Sequence, residues 1–237
     1  MKQKPVISVI IPAYNEEDSI EKTLISLKNQ KTKVPYEIIV CDNNSTDKTF
    51  KIAKKIADKT VKEKKQGGAY ARNTGVKHSV GKYLVHTDAD TIFPENFITE
   101  AYKIFKTDKY VGFSCGNWGY DGENLKVRIL SKPIQILYAF HLRLSERKKM
   151  IYLPGWCICT PRNVFEKVKG FRNQNKFLED ILYSIDIKDL GKTKYFPDIK
   201  IKSSLRRLEK GIINTILYYK KKSNGKGAFD LSLLKII

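Results

Sequence analysis

Two aspartates one residue apart, Asp88 and Asp90, close the stretch Lys82-Tyr-Leu-Val-His-Thr-Asp-Ala-Asp90. The stretch opens with apolar and aromatic residues, as a strand requires, and in an extended chain residues two apart point to the same face. The two carboxylates then converge, and like charges at close range repel unless a cation lies between them. A hard divalent ion such as Mg2+ or Mn2+ suits the pair and prefers carboxylate oxygens shared with phosphates. The same residues also read as a strand followed by an acidic turn, with Asp90 capping a helix that starts near Pro94. The surrounding chain has to decide.

Other groups with chemical potential follow apolar runs in the same way. Asp42-Asn-Asn-Ser-Thr-Asp47 comes directly after Tyr36-Glu-Ile-Ile-Val-Cys41, and Gly67-Gly68 opens a helical stretch carrying Tyr70, Arg72 and Asn73. His86, two residues before Asp88, reads as a hydrogen-bonded structural histidine rather than a metal ligand. Cys157 and Cys159 are spaced C-x-C, unlike a C-x-x-C zinc or redox pair, and with Cys41 and Cys115 they read as free buried thiols of a reducing cytoplasm.

The elements that must position these groups alternate. Val6–Ile11 is a short β-branched run, read as a strand buried on both faces. Pro12 ends it, Asn15 and Asp18 offer caps, and Ile20, Leu24 and Leu27 recur at helical spacing. The run Tyr36–Cys41 then gives a βαβ unit and a parallel pair. Ser45 or Thr46 is the expected cap for a helix with Phe50, Ala53, Ile56 and Ala57, followed by a weak strand near Thr60-Val61. The first 90 or so residues thus read β-α-β-α-β-α-β, with polar residues just past the strand ends, where open α/β sheets bind ligands. No G-x-G-x-x-G follows the first strand, which argues against a nicotinamide site. Beyond Asp90 we expect a helix over 94–105, a strand over 110–114, a long basic amphipathic stretch over 125–149 bent at Pro133, and an apolar run over 152–160. A short helix from Pro161 follows, then a helix over 177–190 with Leu178, Ile181, Leu182 and Ile185 inward, and a strand over 195–201.

The 237 residues carry 45 Lys and Arg against 25 Asp and Glu, a formal net charge of +20. Such charge favours anionic partners, whether nucleic acid, an anionic membrane face or phosphorylated substrates. No apolar run reaches the roughly 18–20 residues of a membrane span, and Met1-Lys-Gln-Lys4 leads straight into a strand without a signal peptide.

Five segments occur in a telling order: Ile11-Pro-Ala-Tyr-Asn-Glu-Glu17, Asp42-Asn-Asn-Ser-Thr-Asp47, Gly68-Ala-Tyr-Ala-Arg-Asn-Thr-Gly75, Asp88-Ala-Asp90 and Glu179-Asp180. Together they resemble the family 2 glycosyltransferases of the GT-A fold, over roughly residues 5 to 207. The resemblance implies an α/β fold with a Rossmann-like nucleotide-binding half, a mixed central sheet with helices on both faces, and an acceptor-binding half. We expect a domain over 1–210, divided at about residue 90, and a basic amphipathic tail over 211–237. The resemblance implies an inverting transfer from a nucleotide-diphosphate sugar with Mg2+ or Mn2+. By position, Pro12, Tyr14 and Glu16 match the nucleotide-contacting loop, and Asp42 the carboxylate that recognises the base. Arg72 and Asn73 match the helix near base and phosphates. Asp90 matches the metal ligand, Asp88 the carboxylate near ribose or metal, and Asp180 the catalytic base. Asp180 then lies in the first turn of a helix, whose dipole should keep it ionised; the alternative is that Glu179 and Asp180 only complement that dipole. Arg206 and Arg207 match an element that closes over the donor phosphates, with a basic strand end as the alternative. Gly155 and Trp156, with Glu179, match the acceptor side, although Trp156 reads equally as core.

The absence of Q-x-x-R-W disfavours a processive polymerase. A retained Glu-Asp favours a sugar hydroxyl, on a lipid-linked or cell-surface glycan or glycolipid, over a polyprenyl-phosphate acceptor, which needs no base. The expected location is cytoplasmic, with the basic segments attaching peripherally to an anionic membrane face or forming a homodimer contact. A nucleic-acid-binding protein fits the charge but lacks any recognition motif, so no nucleic acid partner is expected. An inactive scaffold conflicts with the intact carboxylates, and a nucleotidyltransferase would carry a Gly-rich basic loop after the first strand.

Overall fold

The computed structural model describes residues 3–117, 136, 152–173 and 179–204. The first half alternates as expected: β1 (Ile7–Ala13), α1 (Ile20–Lys28), β2 (Tyr36–Asp42), α2 (Thr49–Ile56), β3 (Lys59–Lys62), α3 (Gly68–Lys77) and β4 (Tyr83–His86). There follow β5 (Thr91–Ile92), α4 (Phe97–Phe105), β6 (Gly112–Asn117), β7 (Ile158–Pro161), α5 (Arg162–Lys167), α6 (Glu179–Ile187) with a single 3-10 turn after it, and β8 (Thr193–Ser203).

These strands form one sheet in the order β3-β2-β1-β4-β7-β6-β8-β5. The β1/β2, β1/β4 and β2/β3 pairs are parallel. β7 reverses the direction: it is antiparallel to β4, with Val85 opposite Cys159, and to β6, with Phe113 opposite Cys159. β6 and β8 run parallel, and β5 adds an antiparallel edge to β8. Two consequences place the site. The carboxyl ends of β1, β2, β4 and β6 share one edge of the sheet, and the chain entering β7 arrives at that same edge.

Side chains alternate between two cores because a strand's faces alternate. Ile7, Val9 and Ile11 of β1 join Leu24 and Leu27 of α1, Ala53 of α2 and Phe97 and Ala101 of α4 on one face. Ile10 of the same strand joins Ala69 and Val76 of α3, Val164 and Phe165 of α5 and Tyr183 and Ile187 of α6 on the other. Each fully buried Leu or Ile contributes about 1.5–3 kcal/mol. Glycine is required at Gly81, where a Cβ would stand 2.6 Å from the backbone nitrogen of Ser8.

Several local expectations are corrected. Neither Asn15 nor Asp18 caps α1; Asn15, in left-handed conformation at φ 52, accepts from Thr46 N instead. Ser45 and Thr46 do not cap α2, whose first residue, Thr49, donates its amide to Asp47 Oδ1 at 2.9 Å. α4 starts at Phe97 behind Asn96, so Asp90 caps nothing there. In α6 the buried residues are Tyr183, Ser184 and Ile187, while Ile181, Leu182 and Ile185 are half-buried. The helix packs on α5 and the loop around Phe171, where Tyr183 stacks on Phe171 at 4.4 Å. Leu178, the basic stretch over 125–149 apart from Ile136, and the tail over 211–237 lie outside the described residues. Among the described residues no helix is long and apolar enough to cross a membrane.

Candidate active site

The loops after β1 and β2 are laced to each other at the sheet's carboxyl edge. Asn15 N donates to Ser45 Oγ at 3.0 Å, Glu16 N to Thr49 Oγ1 at 2.7 Å, and Lys48 N to Glu17 Oε2 at 3.0 Å. Pro12 lies within β1, and Tyr14 projects from the loop at 50% exposure. Glu16 turns back, accepting from Ser19 Oγ at 2.7 Å. At the end of β2, Asp42 is only 2% exposed. Its Oδ2 receives Ser45 N at 3.4 Å, but its buried Oδ1 has no partner. An orphaned buried acceptor costs about 1–3 kcal/mol, so a ligand that donates to Asp42 recovers that cost.

Asn43 fastens the next segment. Its Nδ2 donates to the carbonyls of Glu63 and Lys65, and its Oδ1 accepts from Gly67 N at 2.7 Å. This fixes the start of α3, which carries Arg72 inward to 2% exposure. Arg72 Nη2 donates to Asp88 Oδ1 at 2.7 Å and to the Gly155 carbonyl at 3.1 Å. Thr87 Oγ1 donates to the Trp156 carbonyl at 2.8 Å, so the end of β4 and the approach to β7 are joined twice.

Asn73 does not face the nucleotide loops. Its Nδ2 donates to Phe171 O at 2.8 Å, and its Oδ1 accepts from Phe171 N at 2.9 Å. A Cβ on Gly170, which sits at φ 77, would be 2.6 Å from that Oδ1. Asn73 thus enters the site through the chain that leads to α6.

Asp180 stands in the first turn of α6, as the sequence indicated. Its Oδ2 accepts from the Tyr152 hydroxyl and from Gly155 N at 3.0 Å, and its Oδ1 from Ile181 N at 2.9 Å. Burial pushes its carboxyl above the ordinary range, and Tyr152, the Ile181 amide, Arg72 and Gly155 oppose that push. Glu179 backs onto α3, with its Oε1 2.5 Å from where a Cβ on Gly68 would lie. Burial raises its pKa to about 7, Arg72 opposes, and Asp180 and Asp88 add to the rise. The Gly155 peptide therefore touches both sides: its carbonyl holds Arg72, and its amide holds Asp180. A Cβ there would lie 3.2 Å from Arg72 Nη2, 3.4 Å from Asp180 Oδ2 and 3.8 Å from Asp88 Oδ1. Trp156 is half-buried against the core.

Asp90 is partly exposed beside the end of β8, and its carbonyl accepts from Ser204 N at 3.1 Å. The chain thus reaches Asp90 just before Arg206 and Arg207, which lie outside the described residues. Among the described residues no group of three or more His, Cys, Asp or Glu side chains forms a ready-made cation site. A divalent ion would draw on Asp90, the second oxygen of Asp88 and oxygens of a ligand, a donor set that suits Mg2+ or Mn2+.

His86 differs from expectation. It is 0% exposed and both ring nitrogens lack a partner. It stacks on Phe165 at 5.6 Å and meets Phe171 edge-on at 4.9 Å. Burial, with Arg72 and Arg162 nearby, holds its pKa well below the usual value, so it is a neutral aromatic core residue. Cys115, Cys157 and Cys159 meet in the core as free thiols, the last two 3.7 Å apart. A groove of about 1270 Å³, lined by Lys82, Tyr110, Val111, Pro161, Arg162 and Lys192 among others, lies at the opposite edge of the sheet, away from the carboxylates.

Sequence reasoning missed Tyr152 and Thr87. Nothing in their local spacing marks them; their partners are distant in the chain.

A family model described as "Glycosyl transferase family 2" matches residues 8–169. Among curated relatives, "UDP-Glc:alpha-D-GlcNAc-diphosphoundecaprenol beta-1,3-glucosyltransferase WfaP" of Escherichia coli is 34% identical over 142 residues, 58% of this chain and 56% of that protein. "Poly(ribitol-phosphate) beta-N-acetylglucosaminyltransferase TarP" of Staphylococcus aureus is 29% identical over 190 residues, 76% of this chain and 56% of that one. The chain spans about half the length of the curated relatives it matches. Among solved structures, the mannosyltransferase PcManGT from Pyrobaculum calidifontis, in complex with GDP-Man and Mn2+, superposes with a TM-score of 0.70 at 23% identity, covering 92% of this chain and 65% of that one. S. aureus TarS 1–349 in complex with UDP-GlcNAc gives 0.65 at 19% identity, covering 85% and 58%.

Proposed function

This chain belongs to glycosyl transferase family 2 and has the GT-A fold, and on that premise we propose that it moves a sugar from a nucleotide-diphosphate donor to an acceptor hydroxyl with inversion. The observation that carries the reading is the Gly155 peptide, which joins the Arg72–Asp88 pair to Asp180. One edge of the sheet thus brings a candidate donor-binding group and a candidate base together.

The nucleotide lies along the laced loops, with Pro12, Tyr14 and Glu16 beside it. The unpartnered Oδ1 of Asp42 takes a donor from the base. Asn73 serves as the clamp on Phe171. Arg72 directs positive charge toward the diphosphate while neutralising Asp88. Asp90, with the free side of Asp88, would hold the divalent ion, which when bound supplies Lewis-acid stabilisation of the departing diphosphate. Arg206 and Arg207, just past Ser204, add forked donors for the phosphates.

Asp180 takes the proton from the acceptor hydroxyl as that oxygen bonds to the anomeric carbon. The bond from that carbon to the diphosphate oxygen breaks, and its electron pair leaves with the nucleotide diphosphate. Attack from the face opposite the leaving group inverts the centre. Trp156 and Glu179 flank the acceptor side.

The acceptor is a hydroxyl of a lipid-linked or cell-surface glycan. A curated relative acts, by its name, on a GlcNAc-diphosphoundecaprenol, and a buried base has no role with a polyprenyl-phosphate acceptor, which is already an anion. Attachment of the segments 125–149 and 211–237 to an anionic membrane face belongs to the same reading; co-sedimentation with liposomes should rise with anionic lipid content.

The reading is tested by measuring nucleotide diphosphate release across UDP-Glc, UDP-GlcNAc and GDP-Man, with and without Mn2+. Asp180→Asn should bind the donor and lose transfer, and Asp90→Ala should lose metal-dependent donor binding. Normal transfer by Asp180→Asn would remove the base assignment.

A further inference from the structure

We propose that Tyr152 is a positioning residue for Asp180: its phenol holds the carboxylate in one orientation, in register with Gly155. This rests on the reading of Asp180 as the base.

Tyr152 donates to Asp180 Oδ2, the same oxygen that accepts from Gly155 N at 3.0 Å. Both partners are fixed from outside the contact. The next residue, Leu153, is buried in the core and donates its amide to Ser184 Oγ at 2.9 Å, and Ser184 Oγ donates to the Asp180 carbonyl at 2.7 Å. The segment 152–155 is thereby fastened to the first turn and a half of α6 at three hydrogen bonds, two of them to the carboxylate. A carboxylate so held keeps one orientation, and only Oδ1, shared with the Ile181 amide, presents a less crowded lone pair.

The electrostatic argument follows from the groups around it. Glu179 on α6, Arg72 on α3 and Asp88 after β4 are the charged neighbours, and Tyr152 is the neutral donor among them. Burial favours the uncharged acid, and a hydrogen bond to the charged form opposes it. Tyr152 is the largest of the opposing influences on Asp180. In the transfer step the acceptor's proton goes to Asp180 and Tyr152 keeps its own, so the phenol acts through the carboxylate and not on the substrate.

The test does not depend on knowing the substrate. Protein labelled with 13C at aspartate carboxyls is titrated by NMR, with the Asp180 signal assigned by its loss in Asp180→Asn. In Tyr152→Phe the midpoint should rise by roughly one pH unit. In parallel, nucleotide diphosphate release from the best of UDP-Glc, UDP-GlcNAc and GDP-Man is followed against pH, and the acid limb of Tyr152→Phe should move to higher pH by the same amount. An unchanged midpoint overturns the proposal and leaves the base reading intact. Full activity in Asp180→Asn overturns the base reading and the proposal with it. If Tyr152→Phe does not fold, 3,5-difluorotyrosine at position 152, a stronger donor of the same shape, should shift both midpoint and acid limb downward; no shift overturns the proposal.

Discussion

The Arg72 guanidinium is bound to the Asp88 carboxylate at 2.7 Å, so the first aspartate of the Asp-Ala-Asp pair is neutralised from inside the protein before any cation arrives. The second oxygen of Asp88 is left outside that ion pair. The ion pair is lopsided: Arg72 is buried, while the Asp88 side chain is 44% exposed. Its net worth falls to about 1–2 kcal/mol, below the 3–5 kcal/mol typical of breaking a fully buried pair.

Replacing Arg72 by Lys keeps the charge and loses the fork that reaches both Asp88 and the Gly155 carbonyl. Transfer should fall by about 10–100-fold, because a misplaced group costs rate steeply. Steady-state kinetics alongside thermal unfolding will check this; wild-type activity in Arg72→Lys would show that the geometry of the fork is irrelevant there.

A methyl group at position 155 tests the shared peptide directly. Gly155→Ala places a Cβ 3.2 Å from Arg72 Nη2 and 3.4 Å from Asp180 Oδ2, so the guanidinium must shift by a few tenths of an ångström while the carboxylate is brought into van der Waals contact. We expect activity to drop by about tenfold or more with little change in melting temperature, since the contacts are with the ends of side chains. A variant with wild-type kinetics would contradict the arrangement.

The Glu179 carboxyl predicts a pH dependence of stability. Its folded pKa of about 7 lies above the ordinary 4.5, so the folded protein retains a proton that the unfolded chain releases. Its contribution is complete below pH 4.5 and is lost as pH rises through 7. Glu179→Gln stays neutral and should melt higher than the wild type at pH 8, by about 2–4 °C for each kcal/mol recovered, and equally near pH 4. Calorimetry at the two pH values decides; a constant difference would rule out titration as the cause.

His86 predicts the opposite sign. Its pKa is depressed, so below the ordinary value near 6.5 the unfolded chain takes up a proton that the folded core refuses. Stability should fall as pH drops from about 7 toward 5. His86→Phe removes this loss and two unpartnered buried nitrogens, and urea unfolding should show it equal to or about 1 kcal/mol above the wild type at pH 7. Parallel stability–pH curves for the two proteins would count against this account.

The first half of the fold was legible because short β-branched runs and helical spacing are local signals, and β1, β2 and β4 lie within a residue or two of where those signals placed them. Motif order grouped residues that the fold also gathers: Asp42, Arg72, Asp88 and Asp180 all come to the carboxyl edge. What the sequence concealed is tertiary. Tyr152 reaches Asp180 across 28 positions and Asn73 reaches Phe171 across 98, and no periodicity registers such pairs. His86 was misjudged because a histidine in a strand does not announce whether its neighbours are polar groups or two phenylalanines.

The reversed strand β7 also has a consequence for how the chain is laid out. β6 ends at Asn117 and β7 starts at Ile158, and both points lie on the edge that carries the carboxylates. The link between β6 and β7 thus begins and ends on that edge, while β1 to β4 lie wholly before it in the chain. A change in the length of that link leaves the parallel register of β1 to β4 untouched.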